Sequence, residues 1–200
     1  TVSSTYPAAE AEKLPVPYLG VVDAAAREAA FSTRNRRIGV IGTAATIRSR
    51  SYEALLRRLV PGVEITARPC PLFVPLVEAG YVDHSAPDKQ EITKLVIAQY
   101  LTEIRDAGVD TLILGCTHYP LLTDIIREIM GPEVSLVNAG AESVHTLHDA
   151  LARRQLLAPE GTGQALLCTS DRPEDFGQMA RRFLQEEPTA PVRLVDIEGY

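Results

Sequence analysis

Short apolar runs alternate along this chain with longer segments whose apolar side chains return every three or four positions. Ile38 to Ile41, Val63 to Ala67, Thr111 to Leu114 and Val134 to Val137 are brief, apolar and partly β-branched, which predicts strands buried on both faces. Between them Ser49 to Leu59, Lys89 to Asp106 and Leu121 to Met130 have helical spacing; Gly108 and Gly131 stop the last two, and Pro120 suits a first helical turn. On the N-terminal side the pattern predicts a helix-like Tyr6 to Lys13, a turn at Pro15 and Pro17, a strand Tyr18 to Val22, a helix Asp23 to Phe31 and a polar linker Ser32 to Arg37. On the C-terminal side it predicts a helix Glu142 to Arg153, a loop Pro159-Glu160-Gly161-Thr162-Gly163, a strand Gln164 to Cys168, a helix Pro173 to Gln185 and a strand Val192 to Val195.

Such alternation predicts an α/β fold, a parallel sheet with helices on both faces. Residues 32–138 read as one complete domain of this kind. A hydrophobic content of 46% in 200 residues can fill one substantial core or two small ones. The net charge of −6 argues against nonspecific nucleic-acid binding, and the local basic spots Arg34-Asn35-Arg36-Arg37 and Arg153-Arg154 read as solvated surface. Three cysteines do not make a disulfide framework, so a cytoplasmic setting is expected, and no apolar stretch is long enough to span a bilayer.

The chemistry concentrates in Leu114-Gly115-Cys116-Thr117-His118-Tyr119-Pro120-Leu121-Leu122, where a predicted buried strand gives way to a helix. The carboxyl end of a strand is where α/β proteins place reactive groups. A helix start there favours thiolate over thiol at Cys116, and His118, two residues on, can exchange a proton with the thiol and lower its pKa. The bland alternative is a small buried cysteine that only packs. Thr117, Thr43 and Thr46 are short hydroxyl donors at strand ends, suited to a substrate carboxylate or amino group, or simply to capping helices.

The Leu114 to Leu122 segment resembles the second cysteine motif of bacterial glutamate racemases, in the aspartate/glutamate racemase superfamily. Three further blocks resemble the family in the same order: Ile38-Gly39-Val40-Ile41-Gly42-Thr43-Ala44-Ala45-Thr46-Ile47, Cys70-Pro71-Leu72-Phe73-Val74-Pro75-Leu76-Val77-Glu78-Ala79-Gly80, and Val137-Asn138-Ala139-Gly140-Ala141-Glu142. The family's Asp-Ser-Gly loop, Pro-Tyr-Gly turn and first cysteine, in a Cys-Asn-Thr triplet, have no counterpart here. Thr1-Val2-Ser3-Ser4 resembles that triplet's threonine and the residues just after it, so the 200 residues are expected to be part of a longer polypeptide and inactive alone.

The resemblance implies two parallel-sheet α/β domains with the active site between them. Residues 1–31 plus 139–200 would be the remainder of the first domain, incomplete in this chain, and 32–138 the second. It also implies cofactor-independent interconversion of L- and D-glutamate, with no metal, supplying D-glutamate for peptidoglycan. Inverting an α-carbon without a cofactor needs one group to take the proton from one face and another to return it to the opposite face. Cys116 matches one of the family's two cysteines in those roles, His118 assists it and Glu78 matches the glutamate that holds the histidine. Thr1, Thr43, Thr46, Thr117 and His118 match substrate contacts. Cys70 and Cys168 are expected to be structural thiols. The stretch from Glu78 to Cys116 looks lengthened by a loop, Tyr81-Val82-Asp83-His84-Ser85-Ala86-Pro87-Asp88.

Glutamate as small-molecule substrate and a homodimer are the partners expected, with no membrane and no direct nucleic acid. The competing readings are an aspartate racemase of the same superfamily and a noncatalytic binding relic that persists without the first cysteine. His145 and His148 share a helix with Glu142 and Asp149 at a metal-binding spacing, yet no further ligand is evident. A pyridoxal phosphate enzyme would need a Schiff-base lysine, and Lys13, Lys89 and Lys94 sit in a Pro-flanked segment and on a charged helix.

Overall fold

The structure, a computed structural model, describes residues 1–6, 8–83, 86–159, 161, 164–187 and 190–198. His84 and Ser85 of the predicted loop extension, and Glu160, Thr162 and Gly163 of the C-terminal loop, lie outside the described residues. The chain divides into two compact units, Thr1–Arg154 and Gln155–Tyr200.

In the first unit the elements run α1 (Val2–Thr5), α2 (Ala8–Ala11), α3 (Val21–Ser32), β1 (Arg37–Gly42), α4 (Ala44–Ser49), α5 (Ser51–Leu59), β2 (Glu64–Pro69), α6 (Phe73–Glu78), α7 (Pro87–Asp106) and β3 (Thr111–Gly115). A 3-10 turn (Tyr119–Leu122), α8 (Thr123–Met130), β4 (Ser135–Asn138) and α9 (Ala139–Arg153) complete it. The four strands form one parallel sheet in the order β2-β1-β3-β4, with Gly42 of β1 level with Gly115 of β3. Parallel pairing sends every strand in the same direction, so the segments after β1, β2, β3 and β4 all emerge at one edge.

Period-two alternation along the strands fills two cores. Leu112 and Leu114 pack with Phe73, Ile97, Leu101 and Ile126 beneath α6, α7 and α8, whereas Ile38, Val40 and Ile113 pack with Ala25, Ala29, Tyr52 and Leu56 beneath α3 and α5. All five residues of β3 are buried, as its apolar run predicts. Among the described residues no helix is long and apolar enough to cross a membrane.

Several sequence expectations are corrected. Tyr18 to Val22 is not a strand: Gly20 caps α3 in an extended conformation, Asp23 sits in its first turn, and Val22 is buried with Ala25, Ala26 and Ala29. An apolar run too short to show its period is decided by packing. The helix predicted from Ser49 is divided by Arg50, whose φ of 53° places it in the left-handed region between α4 and α5. Phe73–Glu78, for which the pattern makes no expectation, is helical, with Pro75 early enough in α6 to forfeit no necessary hydrogen bond.

The polar linker before β1 is fixed rather than loose. The Asp110 carboxylate accepts hydrogen bonds from Thr33 Oγ1 at 2.7 Å, Arg34 N at 2.7 Å, Asn35 N at 2.6 Å and Thr111 Oγ1 at 3.0 Å. Partial burial pushes this carboxyl up, but the hydrogen bonds outweigh it and hold the pKa below the ordinary value. A carboxylate with a depressed folded pKa contributes stability that is present above its unfolded pKa of about 3.9 and is lost as pH falls through the folded value. Asp110→Ala is therefore expected to cost about 1–2 kcal/mol at neutral pH. Its deficit should shrink in acid, as measured by urea unfolding near pH 7 and near pH 3. An equal deficit at both would show that the charge is irrelevant.

The second unit holds β5 (Cys168–Thr169), α10 (Pro173–Leu184) and β6 (Arg193–Leu194), with β5 and β6 parallel. The predicted strands Gln164 to Cys168 and Val192 to Val195 shrink to two residues each, since each has one neighbour among the described residues and the ladder holds only two residue pairs. Cys168 is exposed, which corrects its expected role as a structural thiol: the apolar run around it is not covered, and Leu166 is 69% exposed.

Candidate active site

The carboxyl edge of the sheet gathers the candidate residues. Gly115, the last residue of β3, has no room for a side chain, since an added Cβ would lie 2.7 Å from the Ile41 carbonyl oxygen of the neighbouring strand. Released from the ladder, the chain turns through Cys116, Thr117 and His118 into the 3-10 turn, and Pro120 supplies a φ suited to its start. Thr43, directly after β1, caps α4, accepting a hydrogen bond from Thr46 N at 3.3 Å. Asn138 ends β4 and caps α9 by accepting from Gly140 N and Ala141 N.

A cavity of about 300 Å³ is lined by Thr1, Val21, Thr43, Val74, Gly115, Cys116, Thr117, His118, Ala139 and Gly140. It brings together five of the residues singled out from the sequence: Thr1, Thr43, Cys116, Thr117 and His118. Thr46 is buried behind them; its hydroxyl lies 3.0 Å from that of Thr43 and 3.4 Å from that of Thr1, while Thr1 and Thr43 are 2.7 Å apart. Glu78, at the end of α6, is outside the lining but reaches His118, with Oε1 3.1 Å from Nε2. This bond assigns the Nε2–H tautomer to a neutral ring, which makes Nδ1 the acceptor, and the Thr117 hydroxyl stands 3.4 Å from it. Glu78 is half exposed, so the pair adds little stability and its effect is to orient the imidazole.

The expected lowering of the Cys116 pKa is reversed. Burial pushes the thiol up, and the backbone N–H groups of His118 and Tyr119, which favour thiolate, recover only part of the shift; nearby Glu78 adds to the rise. The first helical element after Cys116 is a single 3-10 turn, so individual N–H groups rather than a long aligned helix act on the sulfur. Cys116 is therefore a thiol at neutral pH, able to donate a proton or, with a base beside it, to yield one. Cys70 is fully buried directly after β2 and burial pushes its thiol to about 12, in keeping with a packing role.

Val21, Val74, Gly115, Ala139 and Gly140 also line the cavity and are not among the site residues expected from the sequence. Small or apolar lining leaves no chemical signature, although Val74 and Ala139-Gly140 fall inside two of the resembling blocks. A larger cavity of about 740 Å³ against Tyr6, Tyr18, Leu55 and Arg154 has no cysteine or histidine among its lining residues, so size is a poorer guide here than chemistry. His145 and His148 are exposed beside Glu142 and Asp149, and among the described residues no group of three or more metal-ligating side chains comes together.

The comparisons with known proteins agree with the geometry. The family model for Asp/Glu/Hydantoin racemase matches residues 4–146. The glutamate racemase of Geobacter metallireducens is 44% identical over 174 residues, 86% of this chain and 62% of that protein. The chain thus spans less than two thirds of the length of the curated relatives it first matches. Among solved structures, glutamate racemase isoform RacE1 from Bacillus anthracis superposes with a TM-score of 0.87 at 30% identity, covering 98% of this chain and 70% of that one. Glutamate racemase from Francisella tularensis in complex with D-glutamate gives 0.85 at 28% identity, covering 100% and 72%. A match across most of the first unit, in a parallel α/β sheet that carries a Cys-Thr-His turn at its carboxyl edge, establishes that this chain belongs to the Asp/Glu/Hydantoin racemase family.

Proposed function

We propose that the polypeptide carrying these residues is a cofactor-independent glutamate racemase that interconverts L- and D-glutamate in the cytoplasm and supplies the D-enantiomer for peptidoglycan. The observation that carries this reading is Cys116 in a small cavity beside His118, Thr117, Thr43 and Thr1, with Glu78 bonded to His118 from outside. The relatives named glutamate racemase, one of them solved with D-glutamate, support the choice of substrate.

Cys116 exchanges a proton with one face of the α-carbon. His118 takes up or returns the proton that this transfer moves, and Glu78 keeps its ring in the productive tautomer. The hydroxyls of Thr1, Thr43 and Thr117 hold the substrate's carboxylate and amino groups, with Thr46 supporting Thr43 from behind. The opposite face needs a second acid/base group, and Cys116 is the only cysteine among the described lining residues. In this reading a thiol outside these 200 residues serves that face. Residues 1–31 with 139–200 are then assigned to one α/β domain and 32–138 to the other, with α3 packed on the sheet of the second and substrate held among Thr1, Thr43, Thr117 and Gly140.

The test is solvent-deuterium exchange into the α-carbon, measured on the natural polypeptide with each enantiomer of glutamate and of aspartate. Exchange from both glutamate enantiomers, and little from aspartate, is expected. Binding without exchange would overturn the reading in favour of a noncatalytic protein, and faster exchange from aspartate would move it within the superfamily.

A further inference from the structure

The Cys116–His118 turn and the helix carrying Glu78 come from distant parts of the chain, and one buried hydroxyl links them. Tyr119, adjoining His118, is fully buried and donates its hydroxyl to the Cys70 carbonyl at 2.9 Å. The same carbonyl accepts the Phe73 N–H at 3.2 Å, and Phe73 opens α6, the helix that ends in Glu78. The Tyr119 and Phe73 rings meet edge to face with centroids 5.1 Å apart. From the other side, the Cys70 N–H donates to the Gly42 carbonyl at 3.0 Å, so the junction is anchored to the end of β1. His118 Nε2 and Glu78 Oε1, 3.1 Å apart, close the circuit.

We infer that Tyr119 is a positioning residue: its hydroxyl, on the Cys70 carbonyl, holds the turn bearing Cys116 and His118 in register with α6, so that Glu78 meets the imidazole. This role rests on the parts proposed for Cys116, His118 and Glu78 in the racemase reading. Burial pushes the phenol well above its ordinary pKa, so Tyr119 remains a hydroxyl donor throughout the working range. The ring alone would fill the core equally well as phenylalanine, which makes the hydroxyl separable from the packing. Both rims of the junction carry groups invoked in the chemistry, and a small shift of a positioned acid/base pair is costly.

The experiment compares Tyr119→Phe, Glu78→Gln and the double variant, all made in the natural polypeptide with Cys168→Ser. The rate at which iodoacetamide alkylates Cys116 is read by peptide mass, with Cys70 as an internal monitor. Glu78→Gln is expected to change Cys116 alkylation about three- to tenfold, Tyr119→Phe to change it in the same direction by a similar factor, and the double variant to match Glu78→Gln alone. Cys70 should stay unlabelled throughout. In the natural polypeptide, Tyr119→Phe should lower kcat by a similar factor while KM for glutamate changes less than about twofold. Multiplying effects in the double variant, an unchanged Cys116 rate in Tyr119→Phe, or labelling of Cys70 would each overturn the inference; in the last case the hydroxyl would be holding the core rather than placing the imidazole. Alkylation needs no turnover, so a protein that showed this coupling but no exchange of glutamate would sink the racemase reading and leave the positioning role standing.

Discussion

If the polypeptide is the racemase proposed above, Cys116→Ser is expected to lower interconversion of the glutamate enantiomers by about 10³-fold or more, equivalent to about 4 kcal/mol or more of barrier, while leaving the fold intact. Serine has nearly the shape of cysteine, so the turn after β3 should form as before. An alcohol is a far weaker acid than a thiol, and the buried setting that pushes the Cys116 thiol up would press a hydroxyl further from ionisation. The backbone N–H groups of His118 and Tyr119 would still point at the oxygen, but they cannot close a gap of that size. Initial rates in both directions with the natural polypeptide, alongside circular dichroism and thermal unfolding, give the answer. A variant retaining activity within about tenfold of the parent would remove Cys116 from its role.

Gly115→Ala is expected to show the largest loss of stability. A methyl group there meets the Ile41 carbonyl oxygen at 2.7 Å and the Tyr52 ring at 3.2 Å, and the carbonyl belongs to the neighbouring strand. Neither can yield cheaply: β1 is hydrogen-bonded on both sides, and Tyr52 is buried between the sheet and α5. Overpacking against backbone costs about 2–3 kcal/mol, which for a chain of this size lowers the melting temperature by about 5–10 °C. Scanning calorimetry of the variant measures it. A shift under about 2 °C would mean that β1 and β3 can separate locally without penalty.

Much of the sheet was legible in the sequence because central parallel strands are apolar on both faces. Ile38 to Ile41 and Thr111 to Leu114 announce themselves, and both lie in the interior of the sheet. Tyr18 to Val22 misleads for the same reason, since Val21 and Val22 are apolar and β-branched yet form the first turn of α3. The Cys-Thr-His turn was visible as a cluster of reactive types, and the Glu78 to His118 bond came from resemblance, because the two residues stand 40 positions apart with nothing local to join them. The direction of the Cys116 shift was not legible: the sequence shows a helix start but not how deeply the sulfur is buried beside it. Asp110 escaped notice because two of its four partners are backbone N–H groups, of Arg34 and Asn35, which have no side-chain signature, and Thr33 stands 77 positions away.

The order β2-β1-β3-β4 sets β3 inside the sheet, with a neighbouring strand on each flank. The edges of such a sheet fray first, while its interior opens only when the whole unit opens. The Cys116 sulfur is tethered to that interior strand, one residue beyond its last ladder position. Fraying at the sheet's edges therefore reaches the Cys116 thiol only through the groups that hold its turn and not through its own strand, so the rim of the cavity can flex while the cysteine keeps its footing.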